Sequence, residues 1–132
     1  MTSPSLRRSA AALAATAGLG FGIPGVLGVR HFAQTGHVWM FVGFPTYGEG
    51  PFEAIGLGTS VPLLAGFVVV CVAELGLAAE LWRGGPRSTT LSHLLLPFEL
   101  AYWSGFALPF GFVLGIGREA LLLARPRPSS TP

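Results

Sequence analysis

The chain has 132 residues, of which 51% are hydrophobic and only 11% are charged, and its formal net charge is +2. Soluble domains carry about 25% charged residues, so this composition is typical of a protein embedded in a lipid bilayer. The small net charge argues against a nucleic-acid partner. A chain of this length has room for three or four membrane-spanning helices and little more.

The first predicted element is a spanning helix over residues 10–29. It follows a polar segment, residues 1–9, in which Arg7 and Arg8 predict a cytoplasmic location. The uncharged run is about 20 residues long, which is the length that crosses the hydrocarbon. A cleaved signal peptide is the alternative, but its apolar core is shorter, about 7–15 residues. We therefore expect the helix to be retained.

Residues 30–53 predict an extracytoplasmic loop rich in aromatic side chains. Trp39 and Tyr47 are of the type that favours the membrane interface. Pro45 and Pro51, each close to a glycine, predict turns. We expect this loop to rest on the membrane surface or to fold back over the helices.

The second predicted span covers residues 62–82. Ser60 is a candidate N-cap, and Pro62 suits the first turn of a helix because its missing N–H would have no partner there. Arg83 and Gly84 predict the end of the helix.

The last apolar region, residues 91–124, would form a helix of about 51 Å, which is too long for one crossing. Pro109 offers a break, so we predict a span at about 88–107 and a shorter element at about 110–124. Three and four crossings both remain open.

The distribution of arginines favours four crossings. With four, Arg125 and Arg127 join the cytoplasmic side, provided that Arg118 turns inward. The predicted fold is therefore an all-α integral membrane bundle, a single domain over residues 10–124 with three spans and a short fourth element. The tail, residues 125–132, is expected to be disordered.

Two carboxylates lie deep in the predicted spans, Glu74 and Glu99. A charge at such depth is costly and marks either a functional acid, such as a proton relay or ligand-binding group, or a protonated side chain that hydrogen-bonds a neighbouring helix. His93 and Tyr102 complete the candidate polar site. Tyr102 also allows a quinone-sized pocket, although aromatic side chains at helical spacing usually only pack.

No catalytic or metal-binding motif is recognised. His31, His37 and His93 lack the spacing of a metal site, and the single Cys71 provides no cysteine pair. We therefore predict no metal ligand and identify no cofactor.

Two pairs of glycines have the spacing of helix-packing faces. Gly18 and Gly22 lie one turn apart in the first span, and Gly111 and Gly115 lie one turn apart in the last element. Small residues at this spacing allow helices to approach closely in lipid. Packing within the chain and a homodimer contact are the two alternatives.

One stretch resembles a known family. Residues 70–84, VCVAELGLAAELWRG, resemble the helix of DoxX-like membrane proteins that carries a glutamate and ends in a glycine turn. The preceding GVRHF at 28–32 and GFP at 43–45 are similarly arranged, so the resemblance covers about residues 20–96. It implies a four-helix membrane fold and, in some relatives, a link to quinone-coupled redox complexes. Only Glu74 and Gly76 match the pattern, and Leu77 replaces a second glycine.

These observations predict a small multi-pass protein of the bacterial inner membrane, more consistent with a non-enzyme than with an enzyme. The leading hypothesis for its function is a non-catalytic accessory subunit or partner of a membrane complex, and the resemblance implies a quinone-linked redox complex. The alternative is a small proton-coupled transporter or channel that uses Glu74 and Glu99. The bilayer is the expected partner, together with a second membrane protein or a second copy.

Overall fold

The computed structural model of the protein describes residues 3–41, 44–46, 51–106 and 108–124. These residues are mostly helical, which confirms the predicted helical class. The elements in chain order are α1 (Pro4–Thr35), β1 (Trp39–Phe41), β2 (Phe44–Thr46), α2 (Pro51–Ala54), α3 (Val61–Arg83), α4 (Ser88–Gly105) and α5 (Pro109–Leu123). The predicted tail, residues 125–132, lies outside the described residues.

Helix α1 is longer than the predicted first span. The Ser3 side chain accepts a hydrogen bond from the Leu6 amide at 3.3 Å, and Gly36 ends the helix with a φ of 69°. The prediction that the loop begins at residue 30 is therefore wrong. No glycine or proline interrupts residues 30–35, so the helix continues until Gly36 supplies the left-handed conformation that ends it.

The aromatic connection contains short secondary structure. Strands β1 and β2 pair in antiparallel fashion, with Trp39 opposite Thr46, and α2 follows as a single turn. The predicted aromatic loop therefore contains a short hairpin and one helical turn, and whether it rests on the membrane surface stays a prediction. Positions 42–43 and 47–50 of the predicted loop are outside the described residues.

Helices α3, α4 and α5 occupy the stretches in which the later spans are predicted. Ser60 caps α3 by accepting a hydrogen bond from the Leu63 amide at 3.2 Å, and Gly84 ends it with a φ of 76°. Among the described residues, only α1 and α3 are long and apolar enough to cross a membrane, judged by length and composition. That α4 and α5 cross it too stays a prediction.

The four long helices pack side by side with alternating direction. Helix α1 makes its most extensive contacts with α3 and α5, and α4 packs against the same two helices. The start of α1 meets the end of α3, because the Arg7 Nε donates to the Leu81 carbonyl oxygen at 2.9 Å. Leu122 near the end of α5 joins the same cluster as Leu81. Helix α5 therefore returns to the end of the bundle at which α1 begins.

The two ends of the bundle differ in chemistry. One end carries Arg7, Arg8, Arg83 and Arg87 at or beside helix termini, and we call it the basic end. The other end holds an aromatic cluster, defined here by Phe52, Phe67, Tyr102 and Phe106, whose ring centroids lie 5.2–5.8 Å apart. We call it the aromatic end.

Large apolar side chains point outward from all four long helices, while several charged side chains point inward. The exposed apolar residues on these helices are Leu19, Ile23, Val26, Leu27, Val61, Val69, Val72, Trp82, Leu91, Leu94, Phe98, Phe110, Val113, Ile116 and Leu123. The buried charged residues are Glu74, Glu99, Arg118 and Glu119. The rest of the described interior is mainly apolar, so these four charged side chains are buried in apolar surroundings while large apolar side chains stay exposed.

Candidate functional site

A fully buried arginine forms the centre of the candidate site. Arg118 on α5 donates to both carboxylate oxygens of Glu99 on α4, with Nη1–Oε1 and Nη2–Oε2 distances of 2.7 Å. Its Nε donates to the Ser92 hydroxyl at 2.8 Å. A bidentate pair of this kind fixes both side chains, because the planar guanidinium matches the two carboxylate oxygens. It therefore joins α4 firmly to α5.

Glu119 extends the network toward the outer surface of the bundle. It accepts a hydrogen bond from the Ser92 hydroxyl, and its Oε1 lies 3.3 Å from Arg118 Nη2. Its other oxygen lies 2.5 Å from Nδ1 of His93, whose side chain is 44% exposed. The network thus begins at an accessible imidazole and continues to a fully buried ion pair.

Helix geometry explains why these side chains meet. Ser92 and Glu99 are separated by about two turns of α4 and so lie on one face of that helix. Arg118 and Glu119 are adjacent on α5, and the long Arg118 side chain reaches both Ser92 and Glu99. The pairing therefore depends on how α4 and α5 are rotated about their axes.

Glu74 on α3 is the unusual member of the site. It is fully buried, and within the described part of the chain neither of its carboxylate oxygens has a hydrogen-bond partner. It lies close enough to Glu99 and Arg118 to interact with both electrostatically. An unpartnered buried carboxylate is strongly unfavourable, whereas a neutral acid could donate to a Glu99 oxygen, which retains a free lone pair.

A second buried polar group lies one turn beyond Glu99. The indole Nε1 of Trp103 has no hydrogen-bond partner among the residues that the structure describes. Its ring packs over Gly111 and Gly115 of α5 and lies near Phe21 of α1. Trp103 therefore fills the centre of the bundle between the charged network and the aromatic end.

The structure brings together some of the predicted site residues and separates another. Glu74 and Glu99 are neighbours, and His93 joins them through Glu119. Tyr102 lies apart, in the aromatic cluster, with its hydroxyl against Gly66. Within the described ranges, no group of three or more histidine, cysteine or acidic side chains is arranged to hold a metal ion.

Sequence reasoning missed Glu119 and Ser92 and did not assign Arg118 a partner. The available signal was the Arg118–Glu119 dipeptide, two adjacent charges inside an otherwise apolar run. Charged residues at that depth are expected to face the interior and to pair.

Both predicted glycine pairs lie where helices of the same chain meet. A Cβ on Gly18 would come within 2.9 Å of the Cys71 carbonyl oxygen, and one on Gly22 within 3.2 Å of the Cys71 Cβ. Gly111 and Gly115 lie under the Trp103 ring. These glycines therefore permit the close approach of α1 to α3 and of α5 to Trp103.

A groove of about 570 Å³ opens on the outer face between α3 and α4. Ala73 and Gly76 line its α3 side, and Leu94 and Phe98 line its α4 side, with Glu80 nearer the basic end. A Cβ on Gly76 would meet nothing within 4 Å. The groove therefore exposes apolar surface and small residues that nothing within the described chain covers.

No protein-family model, curated protein or solved structure matches this chain. The resemblance to DoxX-like proteins therefore stays a prediction from the sequence.

Proposed function

We propose that this chain is a small multi-pass protein of the bacterial inner membrane, in which α1, α3, α4 and α5 cross the bilayer. The observation that carries the proposal is the apolar exterior of all four helices, together with the charged network that is buried inside the bundle. Such an exterior is favourable in lipid and unfavourable in water. We expect the protein to stay in the membrane fraction through washes with high salt and alkaline carbonate. Its release by those washes would contradict the proposal.

The basic end supports an orientation in which the start of α1 and the end of α5 lie on the cytoplasmic side of the membrane. Arg7, Arg8, Arg83 and Arg87 lie at that end, and cytoplasmic segments are enriched in arginine and lysine. In a Cys71→Ala background, an impermeant maleimide added to intact cells should label a His37→Cys variant. A Ser5→Cys variant should be labelled only after the membrane is opened. The opposite pattern would reverse the orientation.

Within the membrane, the proposed role is that of a non-catalytic subunit or partner of a larger complex. The groove between α3 and α4 supports this role. Ala73 and Gly76 are exposed along it, and small residues let another helix approach closely where lipid supplies no hydrophobic driving force. The resemblance to DoxX-like proteins makes a quinone-linked redox complex the first class of partner to test.

The test is purification of the tagged protein from its own membranes in mild detergent, followed by mass spectrometry and a visible spectrum. We expect a stoichiometric partner that is lost in a Gly76→Leu variant, because leucine would fill the groove. Gly20→Leu is the matched control, since Gly20 also faces open space but lies on α1. A single species without partner or chromophore would contradict the subunit role.

Glu74 favours a second candidate function, a small proton-coupled transporter or channel. A buried carboxylate without a hydrogen bond is stable chiefly as the neutral acid, and such an acid can bind and release a proton. Proton-dependent flux in proteoliposomes should then be lost in Glu74→Gln. Unchanged flux in that variant and in Glu99→Gln would exclude transport through these residues.

A further inference from the structure

The charged network is placed asymmetrically along the bundle. It starts near the basic end, at His93 early in α4 and Glu119 late in α5. It continues inward through Arg118 to Glu99 and Glu74. Beyond these two carboxyl groups, toward the aromatic end, the buried side chains are Cys71, Phe67, Trp103 and Phe106. Charged side chains therefore lead to Glu74 from one direction, and mainly apolar side chains, together with the Cys71 thiol, occupy the other.

The groups that face Glu74 can be named for each helix around it. Helix α4 contributes Glu99 and helix α5 contributes Arg118, and Cys71 is its titratable neighbour on α3 itself. Tyr102 of α4 packs on Phe67. The buried residues of α1 are all alanine or glycine and carry no titratable group; they are Ala10, Ala11, Ala14, Ala17, Gly18, Gly25 and Gly28. Glu99 is thus the one described carboxyl group beside Glu74, and the Cys71 thiol is only a weak hydrogen-bond donor and acceptor.

We propose that Glu74 and Glu99 form a proton-binding site that exchanges its proton only with the side of the membrane that the basic end faces, by way of His93 and Glu119. The inference rests on the membrane embedding proposed above but not on transport, because a site open to one side binds protons without conducting them.

The path uses side chains of the buried network, and only its first step joins two groups that are already in contact. A proton on His93 Nδ1 passes to Glu119 Oε2, so that an N–H bond breaks and an O–H bond forms over 2.5 Å. Arg118 keeps its own protons, since a guanidinium is not deprotonated in proteins. It holds Glu119 and Glu99 on the same guanidinium nitrogen, so the proton passes from Glu119 to Glu99 when one of these carboxyl groups turns on that nitrogen toward the other, with an O–H bond broken on Glu119 and one formed on Glu99. Glu99 then shares the proton with Glu74.

The mainly apolar residues between Glu74 and the aromatic end explain why protons reach Glu74 from one side only. Phe67 and Trp103 are almost fully buried beside Cys71, and Phe106 closes the cluster behind them. A proton requires a continuous chain of strong hydrogen-bonding groups, and the described interior on this side does not supply one. The Trp103 indole N–H donates but cannot accept, the Cys71 thiol is a weak donor and acceptor, and the Tyr102 hydroxyl lies against Gly66 within the aromatic cluster. The aromatic end is therefore the closed end.

The test measures how fast Glu74 is modified by a membrane-permeant carbodiimide, a reagent that reacts with protonated carboxyl groups. Peptide mass spectrometry would report the modification in sealed vesicles of uniform orientation, with Glu74→Gln identifying the reacting residue. Raising the pH on the basic-end side alone should lower the modification severalfold. Raising it on the opposite side alone should leave it unchanged.

His93→Gln should slow, severalfold, the change in Glu74 modification that follows a change of pH on the basic-end side. His37→Gln is the matched control, because His37 is exposed beyond the far end of α1 and should leave the response as it is. Modification that follows the pH of the other side, or of both sides, would overturn one-sided access. Modification that ignores pH on both sides would overturn proton exchange. Loss of the protein from washed membranes would instead overturn the membrane proposal itself.

Discussion

At the scale of single residues, one guanidinium balances two carboxyl groups. Arg118 binds Glu99 through two hydrogen bonds and contacts Glu119 through a longer one, and all three are buried. Glu119 has His93 as a further partner, whereas Glu99 depends on Arg118. Loss of the arginine would therefore leave Glu99 as an uncompensated buried charge.

We predict that Arg118→Leu lowers the free energy of unfolding by about 3–5 kcal/mol, the usual effect of removing one partner from a buried ion pair. The double variant Glu99→Leu/Arg118→Leu should be more stable than Arg118→Leu, because no unpaired carboxylate remains at position 99. Thermal denaturation in detergent would measure both. Arg30→Leu is the control, since Arg30 is exposed. A double variant less stable than the single one would contradict this account.

The second prediction is that replacing Glu74 and replacing Glu99 have different effects on stability. Glu74→Leu should leave stability unchanged or raise it, because an apolar side chain replaces a buried group that accepts no hydrogen bond. Glu99→Leu should be strongly destabilising, because it leaves Arg118 without its main partner. The same denaturation measurement compares the two. If Glu74→Leu were as destabilising as Glu99→Leu, Glu74 would have a structural partner, and its carboxyl group would not be free to bind a proton.

At the scale of helices, α1 and α3 approach most closely where glycines face the other helix. Gly18 lies against the backbone of Cys71 and the side chain of Leu75, with no room for a methyl group. Gly20, two residues away on the same helix, faces open space. The two positions therefore separate the effect of helix packing from that of intrinsic helix propensity.

Gly18→Ala should accordingly destabilise the protein by about 1–3 kcal/mol, the typical effect of overpacking a filled contact. Gly20→Ala should be neutral or stabilising by up to about 1 kcal/mol, because alanine favours a helix over glycine. Comparison of the two melting temperatures in one detergent checks this. Equal effects at both positions would show that α1 and α3 are not in close contact at Gly18.

Helix ends were largely predictable from the sequence, and contacts between helices were not. Ser60 and Gly84 mark the ends of α3 because capping depends on local residues. The sequence predicts the end of α1 too early, because the uncharged run stops at Arg30, although a charge alone does not stop a helix. The partner of Arg118 could not be predicted, because it depends on the rotation of α4 against α5, which no local spacing determines.

At the scale of the whole molecule, α1 is central to the bundle. It makes the most extensive contacts with α3 and also packs against α5, and Arg7 near its start is bonded to the end of α3. Removal of α1 as a signal peptide would expose the faces of both neighbouring helices. We therefore expect the protein purified through a C-terminal tag to retain residues 4–35. Intact-mass measurement checks this, and a mass lacking those residues would contradict the bundle.

The Glu99–Arg118 pair also has a consequence for biosynthesis. Helix α5 is short and carries two charges, so on its own it is a poor substrate for insertion into the bilayer. Helix α4 holds the carboxylate and hydroxyl that neutralise and bind Arg118. The two helices should therefore leave the translocon together as a hairpin, with their charges already matched. In a glycosylation-mapping assay, we expect α5 to insert efficiently behind α4 and poorly behind an α4 that carries Glu99→Leu. The proposed crossing by α5 would then depend on Glu99, which is synthesised nineteen residues before Arg118.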